Sequence, residues 1–205
     1  MKKHLLALTL TAIVCGQFAN ANPTTPASAA SQATASAASA SAPAPAAAPA
    51  AQQGAPAAPD ILATAYLVED LQSKQILTGK DLDKPIEPAS LTKLMTAYLA
   101  FKALESGQLK PEQTLTPSET AWRAEGSRMF LTLGKPVAVS DLLKGLIVQS
   151  GNDAAITLAE AMGNGSEATF AEQMNAEAKR LGMNNTRFLN ATGLPAEGHL
   201  TTVRD

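Results

Sequence analysis

From Asn22 to Pro59 the chain has no charged residue and is built only from Ala, Pro, Ser, Thr, Gln, Gly and Asn. Alanine alone favours helix, but the scattered prolines remove N–H donors and clash with the preceding turn. No large apolar side chain is available to bury, so the stretch cannot offset the entropy of ordering it. It reads as a flexible exported linker. Any packed core must therefore come from residues 60–205. The 45% hydrophobic content overstates the material for that core, because much of it is linker alanine.

Ahead of the linker, residues 1–21 read as an export signal. Lys2 and Lys3 give a positive start, and Leu5 to Val14 is an apolar run too short to span a bilayer. Ala19-Asn20-Ala21 supplies the small-x-small pattern, which places a cut after Ala21. Lipidation at Cys15 is the competing expectation. The preceding Ala12-Ile13-Val14 departs from the Leu-led pattern that a lipid-bearing cysteine wants.

Charge and metal-ligand chemistry exclude several function classes. Sixteen basic against 18 acidic residues give a net charge of -2, which is no footprint for nucleic acid. Cys15 is the sole cysteine, and the histidines are His4 and His199. Removal of the signal would leave no thiol and one imidazole. No disulfide framework and no zinc ligand set is expected.

Periodicity organises residues 60–205. Ala63 to Glu69 and Lys74 to Thr78 read as strands joined by a turn over Asp70 to Ser73, a β-hairpin. Ser90 to Glu105 has apolar residues at helical spacing and stops before Gly107. Ser140 is expected to cap a helix over Asp141 to Gln149. Ser150-Gly151-Asn152 interrupts, and helix resumes over Asp153 to Met162 with Gly163 after it. Ser166 is expected to cap a third helix that runs to Leu181 and closes on Gly182. Asn184 to Asp205 reads as loop, with no later strands expected. A lone hairpin is marginal in water, so this α+β set is expected to be incomplete.

Two constellations carry chemistry. In Ser90-Leu91-Thr92-Lys93 the hydroxyl and the amine lie one helical turn apart. A serine hydroxyl needs a base to become a nucleophile. A lysine amine serves once burial lowers its pKa. Backbone N–H groups at the helix start could receive a developing oxyanion. A capping serine beside a solvated lysine fits the same residues. In Ser150-Gly151-Asn152 a second hydroxyl could relay a proton, and a carboxamide could hold an amide substrate. There too, Asn152 as helix cap after a glycine turn is the structural alternative.

The runs Pro88 to Thr96, Gly126 to Phe130, Val148 to Ala155 and Thr192 to Pro195 together resemble low-molecular-mass penicillin-binding proteins of the D-alanyl-D-alanine carboxypeptidase family. The likeness spans roughly residues 63–205. It implies a penicilloyl-serine-transferase fold of the DD-peptidase/β-lactamase-like type, an antiparallel sheet packed on a helical subdomain. Ser90 would be acylated, Lys93 would be its base, Ser150 would pass the proton on, and Asn152 would hold the substrate amide. The substrate implied is a peptidoglycan stem peptide ending in D-Ala-D-Ala, with β-lactams acylating the same serine. The periplasm would be the compartment. Peripheral attachment to the inner membrane through a missing C-terminal tail is a further expectation.

One departure stands out: the family's Lys-Thr-Gly does not occur in the 205 residues. The chain is therefore expected to be a partial domain with little or no activity. A class A β-lactamase is a competing reading, set against by Ser-Gly-Asn where Ser-Asp-Asn is usual. A non-catalytic, wall-binding protein is another. Trp122, Met129 and Phe130 are expected in the core or a cleft wall, Arg123 and Arg128 in surface or structural ion pairs, and His199 in a loop.

Overall fold

A computed structural model of the protein describes residues 60–205. The expected export signal and linker lie outside the described residues. Among the described residues no helix is long and apolar enough to cross a membrane.

The chain enters as a hairpin of β1, Tyr66–Glu69, and β2, Ile76–Lys80. They pair antiparallel, Tyr66 opposite Lys80 and Val68 opposite Thr78, with an irregularity between Val68 and Glu69. The Asp70 carboxylate closes the turn by accepting from the Gln72 and Ser73 N–H groups and the Ser73 hydroxyl. A 3-10 turn, Ala89–Leu91, then feeds α1, Thr92–Glu105.

Three more helices carry the core. They are α3, Val139–Val148; α4, Asn152–Met162; and α5, Glu167–Leu181. Between α1 and α3 lie two-residue strands, β3 (Thr114–Leu115) and β4 (Val137–Ala138), and a short helix α2, Glu119–Trp122. α4 occupies the centre, packing on α1, α2, α3 and α5. Its composition explains this place. Ala154, Ala155 and Ala159 are fully buried small residues that let neighbouring helices approach closely. Leu158 joins Leu142, Leu146, Phe170 and Met174 in the main core. Burying a side chain such as Phe170 in full stabilises the fold by about 2 kcal/mol.

Several sequence expectations need correction. α3 begins at Val139, with Ala138 as its N-cap and no side-chain cap, so Ser140 does not cap it. β4 runs directly into the helix there, and the Ser140 N–H is taken by the Pro111 carbonyl. α4 starts at Asn152 with Gly151 as N-cap, and Asn152 is therefore not the cap. The expectation of no later strands also fails: β3 pairs with β4, and single bridges join Ile86 to Thr201 and Arg187 to Leu200. Those pieces are too short to leave an alternating pattern. Ser166 and Gly182 do close α5 as expected. The Ser166 side chain accepts from the Thr169 N–H, and Gly182 is left-handed at φ 86°.

Candidate active site

Ala89 has φ 47°, a left-handed value that a non-glycine residue adopts at a cost. It turns the chain so that Ser90 stands exposed at the start of the helix. One turn on, Lys93 is buried at 6% exposure. Its Nζ lies 3.3 Å from Ser90 Oγ and donates to the Thr192 carbonyl at 2.7 Å. Burial pushes the Lys93 pKa below the ordinary lysine value. Among the described residues no carboxylate lies within ion-pair distance of this amine, so nothing opposes that shift. A neutral amine here would donate one N–H to Thr192 and turn its lone pair to the serine hydroxyl. That is the arrangement a serine nucleophile requires.

The Thr192 carbonyl is held with care. Asn190 Oδ1 accepts from the Thr192 N–H, the Thr192 hydroxyl and the Gly193 N–H, while its Nδ2 donates to the Leu194 carbonyl. The Ala191 N–H donates to Glu167 on α5, and the Ala191 carbonyl accepts from the buried Thr96 hydroxyl. Burial and the nearby Glu160 charge raise the Glu167 pKa, an effect the Ala191 N–H opposes. Gly193 has φ 81°, and a Cβ there would overlap the Ala89 carbonyl. Only glycine lets this loop pack against the turn that presents Ser90.

A second assembly forms at the start of α4. Ser150 has φ 53° and makes no side-chain hydrogen bond among the described residues. Asn152 is 4% exposed. Its Nδ2 donates to the Glu125 carbonyl at 2.6 Å, and its N–H donates to the Ser127 carbonyl at 2.7 Å. The Ser127 hydroxyl closes on the Gln149 carbonyl. Buried Asp153 gathers the N–H groups of Met129, Leu131 and Ala154. The segment 125–131 is thereby strapped across the end of α4.

Ser90 and Lys93 are thus in contact. Asn152 opens α4, which packs against α1, and Ser150 lies in the turn just before it, but neither hydrogen-bonds Ser90 or Lys93. An apolar groove of about 410 Å³ beside α1, lined in part by Leu91, Leu94, Tyr98 and Met183, includes neither Ser90 nor Lys93.

Other side chains depart from expectation. Of the three residues expected in the core or a cleft wall, Met129 is half-buried and packs against the core, whereas Trp122 and Phe130 are exposed, at 41% and 76%, and lie outside it. Arg123 pairs with Glu119 at 2.7 Å as expected. Arg128 has no carboxylate partner among the described residues and stacks 5.1 Å over Phe130. His199 is in a loop but buried. Sequence reasoning did not find Asn190, Thr192 or Asp153. Asn190-Ala191-Thr192-Gly193 did carry a signal, since Asn followed by Gly at this spacing is a turn signature. The role of a backbone carbonyl leaves none.

Comparison with known proteins places the chain in a family. The D-alanyl-D-alanine carboxypeptidase family matches residues 52–205. DacC of Escherichia coli K12 is 41% identical over 154 residues, covering 72% of this chain and 38% of that protein. DacF of Bacillus subtilis 168 is also 41% identical, over 69% of this chain and 36% of its own length. The chain thus spans well under half the length of these curated relatives. Among solved structures, penicillin-binding protein 6B of Escherichia coli superposes with a TM-score of 0.69 at 37% identity, covering 74% of this chain and 50% of that one. Penicillin-binding protein 5 of Haemophilus influenzae gives the same TM-score at 39% identity, over 72% and 43%. With the serine–lysine pair, the strapped Ser-Gly-Asn turn and the fold all in agreement, the chain belongs to the D-alanyl-D-alanine carboxypeptidase family, whose fold is that of the penicilloyl-serine transferases.

Proposed function

We propose that the protein is a serine-type D-Ala-D-Ala carboxypeptidase that removes the terminal D-alanine from peptidoglycan stem peptides. The observation that carries this reading is the buried Lys93 amine, 3.3 Å from an exposed Ser90 hydroxyl and oriented by the Thr192 carbonyl. Ser90 Oγ attacks the carbonyl of the penultimate residue as Lys93 takes its proton. The C–N bond breaks, the departing D-alanine amine receives a proton through Ser150, and an ester remains on Ser90. Water then hydrolyses the ester. Asn152 has committed its Nδ2 to Glu125, which leaves its carboxamide oxygen to accept a substrate N–H. β-Lactams acylate Ser90 by the same attack.

The place of action in this reading is the periplasm, with peripheral attachment to the inner membrane and a part in cell shape. The basic and apolar start of the chain supports export. Neither the class A β-lactamase nor the non-catalytic reading draws support from the family match.

Fluorescent penicillin labelling with peptide mapping, beside D-alanine release from a D-Ala-D-Ala pentapeptide, tests the assignment. In the protein carrying the family's Lys-Thr-Gly strand, label on Ser90, lost with D-alanine release in Ser90→Ala, is expected; the 205 residues alone are expected to give little of either. Label on another side chain, or equal release by the variant, would overturn it.

A further inference from the structure

His199 is 3% exposed although it belongs to a loop. Its Nδ1 accepts from the Leu189 N–H at 3.1 Å. In a neutral ring that places the single proton on Nε2. Nε2 lies 2.8 Å from Thr92 Oγ1, so the ring donates and the threonine accepts. Phe188 meets the ring edge-on at 5.9 Å. Thr92 is fully buried and sits between Ser90 and Lys93. Leu189 leads directly into Asn190–Thr192, the loop whose carbonyl receives the Lys93 amine. One imidazole thus ties together the two stretches of backbone whose spacing sets the position of Lys93. The proposed mechanism makes no use of it.

We propose that His199 is a positioning residue for the Ser90–Lys93 pair: as the neutral ring protonated on Nε2, it fastens Thr92 to the Leu189–Thr192 loop and keeps the Thr192 carbonyl against the Lys93 amine. The activity part of this inference rests on Ser90 being the nucleophile; the geometric part does not. A second proton, on Nδ1, would face the Leu189 N–H, donor against donor. Burial disfavours that proton and holds the His199 pKa below its usual value, while Glu87, on the segment entering α1, favours it. From the α1 side the ionisable neighbour is Lys93, next to Thr92, whose own positive form burial disfavours. Arg187 and Glu197, on the loop itself, are exposed.

The test uses the protein carrying the family's Lys-Thr-Gly strand, and two variants of it. His199→Phe keeps a ring against Phe188 and loses both hydrogen bonds, whereas His199→Gln keeps a donor and an acceptor. Three readouts are taken: the Lys93 amine titration by carbon-13 NMR at the lysine ε-carbon, the rate of penicillin acylation of Ser90 against pH, and thermal stability. In the Phe variant the Lys93 titration should move toward that of an ordinary lysine. Acylation should slow about tenfold, the scale of one lost oriented hydrogen bond, and Gln should restore most of it. Wild-type acylation should fall further in acid as His199 gains its proton. Lys93 titration and acylation both unchanged in the Phe variant would overturn the proposal, as would equal losses in Phe and Gln. A nitrogen-15 spectrum of wild type with the proton on Nδ1 would do so even if neither variant folds. Should Ser90→Ala label as fast as wild type, the carboxypeptidase reading fails, and the Lys93 titration still decides the role of His199.

Discussion

The starts of α1 and α4 are built alike and used differently. Each helix follows a non-glycine residue in left-handed conformation, Ala89 before one and Ser150 before the other. Across each start lies a hydrogen-bonded segment, 190–193 over α1 and 125–131 over α4. At α1 the segment receives a buried, ionisable amine. At α4 the segment accepts from the Asn152 carboxamide at the Glu125 carbonyl and donates the Met129 and Leu131 N–H groups to Asp153. The first is therefore built on an amine whose pKa burial lowers, whereas the second is built on a carboxamide donor and on a carboxylate that accepts backbone N–H groups. A backbone design that presents a hydroxyl serves both, and the partner beneath decides whether it is activated.

The sharpest way to break the comparison is at α1. Lys93→Met keeps the length of the side chain and removes the base, so acylation of Ser90 should fall by about a thousandfold, measured by penicillin labelling. In wild type the same rate should climb as pH rises through the Lys93 pKa, which lies below the ordinary lysine value of 10.5. The sign follows from the amine, which is a base only after losing its proton. A rate independent of pH from neutral to 10 would show that another group takes the proton.

At α4 the loss should be structural. Asp153→Ala strands the N–H groups of Met129 and Leu131 and should cost about 3 kcal/mol, read by thermal denaturation. Hydrogen exchange should quicken in 125–131 before it does in 190–193. Simultaneous opening of both segments would mean that the two assemblies are one unit.

A smaller effect of opposite sign separates strain from chemistry. Ser150→Gly relieves a left-handed serine at φ 53° and should stabilise the fold by about 1 kcal/mol. In the proposed mechanism it should also slow release of D-alanine. A variant that is no more stable would show that surrounding contacts, and not the serine, set this backbone angle.

The smallest effect lies away from both helix starts. Arg180 and Lys102 hold the Glu177 carboxyl down to about 2. Its folded pKa is below its unfolded one, so its stabilising contribution is present above about 4.5 and fades as pH falls toward 2. Glu177→Gln should flatten a small part of the acid limb of a stability–pH curve and leave Lys93 chemistry unchanged.

Much of this was legible before any coordinates. Ser166 and Gly182 bracket α5 because capping is a local property of the backbone that a side chain or its absence can declare. Ser90 and Lys93 are legible because helical spacing brings them together and the family-like runs around them set that pair apart from a capping serine and a solvated lysine. Ser140 misled because β4, pairing with β3, delivers the chain to the helix two residues earlier, and a two-residue ladder leaves no alternation to read. Trp122 and Phe130 misled because aromatic character predicts burial only on average. His199 was read as a loop residue because secondary structure says nothing of burial. Its partners, Thr92 and the Leu189 amide, meet it only through the tertiary fold.

The anchor for Lys93 is a peptide oxygen and not a carboxylate. Every amino acid brings such an oxygen, so no codon change at 192 can delete the acceptor. Loss of function through this contact has to come by bending the main chain, at positions such as Asn190 or Gly193. Neither would stand among candidate catalytic side chains, and in the proposed mechanism both keep the base in place.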